Sequence, residues 1–222
     1  MLNESLCKLG TETAFSVLSK ASELQKFGKT IINLGIGQPD FSTPKHIVEA
    51  GVKALRDGQH GYTPSLGLIT LREAVKEDLS LRYGYCPPIS QIQITPGGQP
   101  IIFMAAMIYG GKGKEILIPN PSFPIYESVV SYSGATPIFY ELDEEKGFSF
   151  DAEEILSKIT KQTTLIMINT PHNPSGGITP PSEIKKLVMG LENYPNITLF
   201  SDEIYDRLVF NTSPHSLLSY PE

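Results

Sequence analysis

The chain has 222 residues, 40% apolar and 19% charged, which suits a soluble globular protein of one or two domains with a sizeable core. Its formal net charge of −6, without any Lys/Arg cluster, argues against nucleic acid and acidic membrane surfaces as partners. Cys7 and Cys86 lack metal-ligand spacing, no basic-then-apolar leader opens the chain, and the longest apolar run is too short to span a bilayer, so a cytoplasmic protein without a metal site is expected.

Residues 1–29 show weak helical periodicity at Ala14, Phe15, Leu18, Ala21 and Leu24. The segment from Ile31 to Phe41 packs Gly35, Gly37 and Pro39 into an irregular loop. It is either a plain turn or a loop whose N–H groups face a ligand carboxylate. Thr43 and Pro44 read as N-cap and first residue of a helix with Ile47, Val48, Val52 and Leu55 on its apolar face. After the loop from Gly61 to Gly67, which carries Tyr62, a second helix aligns Leu68, Leu71, Val75 and Leu79 and stops near Gly84. Taken alone, Tyr62 is a surface or packing aromatic.

Ile92 to Thr95 predicts a strand, followed by the turn Pro96-Gly97-Gly98-Gln99-Pro100 and an apolar helix from Ile101 to Tyr109. Strand, glycine-rich turn and helix N-terminus make an anion site, because free N–H groups and the helix dipole both favour a phosphate. The pattern is neither that of dinucleotide-binding proteins nor a Walker A loop. Glu115 to Pro119 predicts a short buried strand, and Asn120-Pro121-Ser122-Phe123-Pro124 a rigid loop before a helix starting near Tyr126. By itself Phe123 reads as core packing.

Thr136 to Tyr140 predicts the next strand, and Asp151 caps a helix with Glu154 as capping-box partner and Ile155, Leu156 and Ile159 inward. Thr164 to Ile168 is a continuous apolar run, as in a strand covered on both faces. Pro181 to Leu191 is amphipathic, and a final strand from Ile197 climbs to Ser201-Asp202-Glu203-Ile204-Tyr205. The β-α-β alternation with short loops implies an α/β protein, three layers with a mainly parallel sheet. In such a sheet ligands bind at the carboxyl ends of the strands. Asp202 stands at one such end, and burying a carboxylate there needs a cationic partner. That partner is either Arg207 or a ligand nitrogen that carries a proton.

The Asp202 stretch and Asn169-Thr170-Pro171-His172-Asn173-Pro174-Ser175-Gly176-Gly177 together resemble the pyridoxal-phosphate (PLP) aminotransferases of class I and II. The resemblance covers residues 31–222 and implies an N-terminal arm and part of a small domain over 1–40. A PLP-binding large domain, incomplete at its C-terminus, then occupies 41–222. It assigns Asp202 to the pyridinium nitrogen, Asn173 and Tyr205 to the ring oxygen, Gly98 and Gln99 to the phosphate, and Phe123 to stacking on the ring. Gly37 matches the contact to the substrate carboxylate, and Tyr62 the residue that reaches the cofactor of a partner subunit. Ser175 stands where threonine is commoner, and Pro100 and Ile101 where many relatives carry alanine. His172 reads as a loop or partner contact and Glu203 as structural.

The same resemblance places a Schiff-base lysine a few tens of residues beyond Ser-Asp-Glu-x-Tyr, and none of the residues after Asp202 is lysine. No catalytic residue is therefore assigned, and the N-terminal portion of a longer enzyme, a split gene or a remnant is expected. The implied activity is amino-group transfer between an amino acid and a 2-oxo acid, by a homodimer when complete. A PLP-dependent lyase or synthase on the same scaffold and a non-catalytic remnant are the alternatives.

Overall fold

A computed structural model describes residues 6–7, 9–10, 13–35, 37–210 and 215–220. The chain divides into two compact units, Thr11–Leu68 and Met1–Gly10 with Ile69–Glu222. In the first of these lie helices α1 (Thr13–Lys26) and α2 (Lys45–Arg56), joined by a segment without ladder partners. The expected α2 starts one residue late: Pro44 is its N-cap, and no side chain caps it. Its anticipated apolar face, Ile47, Val48, Val52 and Leu55, is exposed.

The larger unit starts with α3 (Ile69–Tyr83), which Gly84 ends in a left-handed conformation. Next come α4 (Gln99–Tyr109), β1 (Glu115–Asn120), α5 (Pro124–Ser133), β2 (Thr136–Asp143), β3 (Ser149–Phe150) and α6 (Ala152–Ser157). The series closes with β4 (Thr163–Asn169), α7 (Pro181–Leu191) and β5 (Thr198–Asp202). The five strands run in the order β3-β2-β1-β4-β5, parallel throughout except for the short antiparallel β2–β3 pair. Alternation along the strands sends Ile116, Ile118, Leu165 and Met167 to one face, where α4 and α5 supply Ile102, Ala106, Tyr126 and Val130. Leu117, Ile166 and Ile168 face the other way, against Ile155 of α6 and Ile184 and Leu187 of α7. Both faces of β1 and β4 are thus covered, which is why these strands read as unbroken apolar runs. The expected three-layer α/β/α architecture with a mainly parallel sheet is the one observed.

Two local expectations are corrected. Ile92 to Thr95 forms no ladder among the described residues. Ile92 is extended and buried, but its carbonyl accepts from the buried Arg72 guanidinium (Nε, 2.8 Å), which also donates to the Ile89 carbonyl. The capping box at α6 is half formed. Asp151 accepts the Glu153 N–H (2.9 Å), whereas Glu154 reaches across to the Glu141 N–H (3.1 Å) and to Lys158 (3.1 Å).

Candidate active site

The β4–β5 register brings Asn169 and Asp202, the last residues of the two strands, side by side. Asn169 is buried and organises everything beyond the strand ends. Its amide donates to the Asp202 carbonyl (2.9 Å) and the Pro171 carbonyl (3.3 Å), and its Oδ1 accepts the Asn173 N–H (2.8 Å). The loop that follows closes on itself. The His172 N–H donates to the Gly177 carbonyl and the Gly176 N–H to the His172 carbonyl, both at 2.8 Å. Glycine is required at both ends of this closure. Gly176 has φ +74°, and a Cβ on Gly177 would lie 2.4 Å from the Gly147 carbonyl oxygen. His172 is buried with Nδ1 2.7 Å from the Ser175 hydroxyl and Nε2 without a hydrogen-bond partner among the described residues; burial pushes its pKa down. It is a loop residue and does not line the cleft described next.

A cleft of about 170 Å³ lies beyond the strand ends. It brings together six of the residues singled out in the sequence, Gly98, Gln99, Phe123, Asn173, Asp202 and Tyr205, with Ile102, Tyr126, Asn169 and Ile204. Gly37 and Tyr62 belong to the other unit, where both are exposed.

Asp202 carries the electrostatics of the cleft. Its Oδ2 accepts the Tyr126 hydroxyl (2.7 Å) and its Oδ1 the Ile204 N–H (3.3 Å). Among the described residues no cationic side chain pairs with it. Arg207, the internal candidate, bonds instead to Asp78 at 2.7 Å. Burial and the neighbouring Asp202 charge push the Tyr126 phenol far above its ordinary range, so it stays a donor. Phe123 meets the Tyr126 ring edge-on, with centroids 5.9 Å apart at 89°. At the opposite wall, Pro100 has no N–H, and those of Ile101 and Ile102 both go to the Gly98 carbonyl. That leaves the N–H groups of Gly98 and Gln99 at the start of α4 for a ligand. An anion at the helix end and a positively charged nitrogen at the strand end suit these two walls.

Strand alternation separates the two acidic neighbours. Asp202 faces the cleft, while Ser201 and Glu203 line a second hollow of about 840 Å³ with Leu199, Leu217 and Tyr220. There Glu203 Oε1 accepts the Ser201 hydroxyl (2.7 Å) and the Leu217 N–H (3.0 Å), a structural task.

Tyr126, Asn169, Ile102 and Ile204 were not anticipated. Tyr126 lies in the first turn of α5, three residues past the extended N-cap Phe123, and nothing in the sequence around it marks it as a partner for a carboxylate. Asn169 ends an apolar run, and a buried amide there needs partners that only the folded loop provides.

The model of the family Aminotransferase class I and II matches residues 29–220. An aspartate aminotransferase of Sulfurisphaera tokodaii is 38% identical over 205 residues, covering 91% of this chain and 51% of that protein. A probable aspartate/prephenate aminotransferase of Aquifex aeolicus is 36% identical over 197 residues, 88% of this chain and 49% of that protein. Among solved structures, an alanine aminotransferase from Pyrococcus furiosus superposes with a TM-score of 0.93 at 30% identity, over 99% of this chain and 56% of that one. This chain spans about half the length of the curated relatives it matches. Match, strand order and the cleft at the strand ends agree, and the chain belongs to the class I and II aminotransferase family.

Proposed function

We propose that this chain carries the cofactor-holding half of a PLP-dependent aminotransferase that moves an amino group between an amino acid and a 2-oxo acid. The observation that carries the reading is Asp202: a carboxylate in the cleft, anchored by a tyrosine hydroxyl and without a cationic partner among the described residues. A protonated ring nitrogen is the partner such a group favours.

The residues present fit PLP. The N–H groups of Gly98 and Gln99, at the positive end of α4, would hold the phosphate. Phe123 would cover the ring. Asn173 and Tyr205, whose side-chain polar atoms have no hydrogen-bond partner among the described residues, would donate to the ring oxygen. Asp202 would keep the nitrogen protonated, with Tyr126 fixing its carboxylate. When bound, PLP withdraws the electron pair left as the α-proton of an amino acid departs. Gly37 is assigned to the substrate carboxylate, and Tyr62 to the cofactor of a second copy in a homodimer of the whole enzyme. Relatives named for aspartate, aspartate/prephenate and alanine make small or acidic amino acids the first donors to assay. The cytoplasm is the proposed compartment.

The test is a titration of the purified chain with PLP, followed by visible absorbance. Asp202→Ala should weaken binding about tenfold or more, as loss of a charge-assisted contact to a buried nitrogen does. Equal affinity in the two proteins removes Asp202 from the role.

A further inference from the structure

The Tyr205 hydroxyl has no hydrogen-bond partner among the described residues, so its place in the cleft depends on the backbone that carries it. That backbone is a tight turn: the Asp206 N–H donates to the Glu203 carbonyl (3.0 Å) and the Leu208 N–H to the Tyr205 carbonyl (2.9 Å). The residues flanking Tyr205 on its far side are both tied to the end of α3. Arg207 donates to Asp78 Oδ1 at 2.7 Å. Asp206 accepts from Arg82 and from the Tyr83 hydroxyl (3.1 Å). Arg82 also reaches back along its own helix, with Nε 2.8 Å and Nη2 2.7 Å from Asp78 Oδ2. Its guanidinium carbon lies 4.7 Å from the centre of the Tyr83 ring, and Nη1 donates to the Tyr83 hydroxyl at 2.9 Å.

Isolated exposed ion pairs contribute little, but this one is a network. Two carboxylates and two guanidinium groups alternate, with a forked contact from Arg82 to Asp78, and Asp206 is largely shielded. Hydrogen bonding to Asp206 raises the Arg82 pKa, and burial with the same carboxylate raises Tyr83 to about 12, so both remain donors at neutral pH. We propose that Arg82 is a positioning residue: bridging Asp78 and Asp206, it locks the 203–208 turn onto α3 and so sets where Tyr205 stands in the cleft. The lock stands on geometry alone; the use of Tyr205 rests on the cofactor reading given above.

The chain has no tryptophan, so Leu208→Trp, at an exposed position of the turn, makes a single reporter. In the full chain, acrylamide quenching of that reporter should rise about twofold, and its anisotropy fall, on Arg82→Gln, because the turn then opens locally. Arg82→Lys should recover only part of the loss, since lysine keeps the charge but not the fork. Asp206→Asn should reproduce the effect from the other side, with circular dichroism confirming that each variant is folded. Raising salt should loosen the parent reporter in the same sense, without any substitution. Unchanged quenching in both variants and across salt overturns the lock.

A second arm adds PLP. Arg82→Gln should weaken its binding about fivefold in the parent chain and hardly at all once Tyr205→Phe is present, because the two changes act through one contact. Equal losses in both backgrounds overturn the assignment to Tyr205. If the parent chain does not bind PLP, the cofactor reading fails and the role of Tyr205 with it, while the reporter still decides the lock.

Discussion

His172 sits inside the 170–177 loop with its Nε2 unpartnered among the described residues, and burial lowers its pKa below the ordinary 6.5. The folded chain therefore binds this proton more weakly than the unfolded chain. The stability that the neutral ring contributes is fully present above pH 6.5 and is lost as pH falls from there through the lowered folded value. The urea midpoint should drop between about pH 7.5 and pH 5.5, and His172→Gln should flatten that part of the profile. An unchanged slope in the variant would assign the acid sensitivity elsewhere. Which residues line the cleft was legible where a motif carries them, as at Asn173, Asp202 and Tyr205. It was not legible at Tyr126. A tyrosine next to a helix start is ordinary until the fold places a carboxylate, without a cationic partner among the described residues, 2.7 Å from its hydroxyl.

The loop between β4 and α7 is where local rules and long-range packing meet. Gly176 needs its glycine for a positive φ, and Gly177 for the approach to the Gly147 carbonyl at the end of the β2–β3 connection. Gly177→Ala should cost about 1–3 kcal/mol, since backbone rather than a flexible side chain stands in the way. Chemical denaturation measures the loss, and PLP affinity should fall with it, because Asn173 shares the loop. No change in either quantity would mean the loop yields easily. Helices and central strands were legible because their periodicity is written in neighbouring residues. Ile92 to Thr95 carries β-prone residues and yet forms no strand among the described residues. A ladder is made by partners distant in sequence, and here Arg72 takes the Ile92 carbonyl, together with that of Ile89 just before the segment. The box at Asp151 is only half formed for a similar reason, with the Glu154 carboxylate drawn to β2.

For the molecule as a whole, exposed apolar surface governs how copies meet in solution. Ile101, Phe103, Met104 and Ile108 of α4 are exposed, as are four apolar residues of α2. β5 has β4 on one side and no strand on the other among the described residues. Contiguous apolar patches and open edges are association sites. The purified chain should run above the mass of one copy in light scattering, and Ile101→Lys with Ile108→Lys should shift it towards the monomer. A monodisperse single copy of the parent chain contradicts this. A further consequence lies at the end of β5, where Asp202 and Glu203 face opposite sides. Whether an acid there lines the cleft or the second hollow is a matter of parity, odd or even along the chain. Exchanging the two letters would leave mass, charge and composition untouched. It would put a longer acid beside the tyrosine hydroxyl and a shorter one where Leu217 is held, so that two sequences no bulk measure can tell apart would differ in the shape of both cavities.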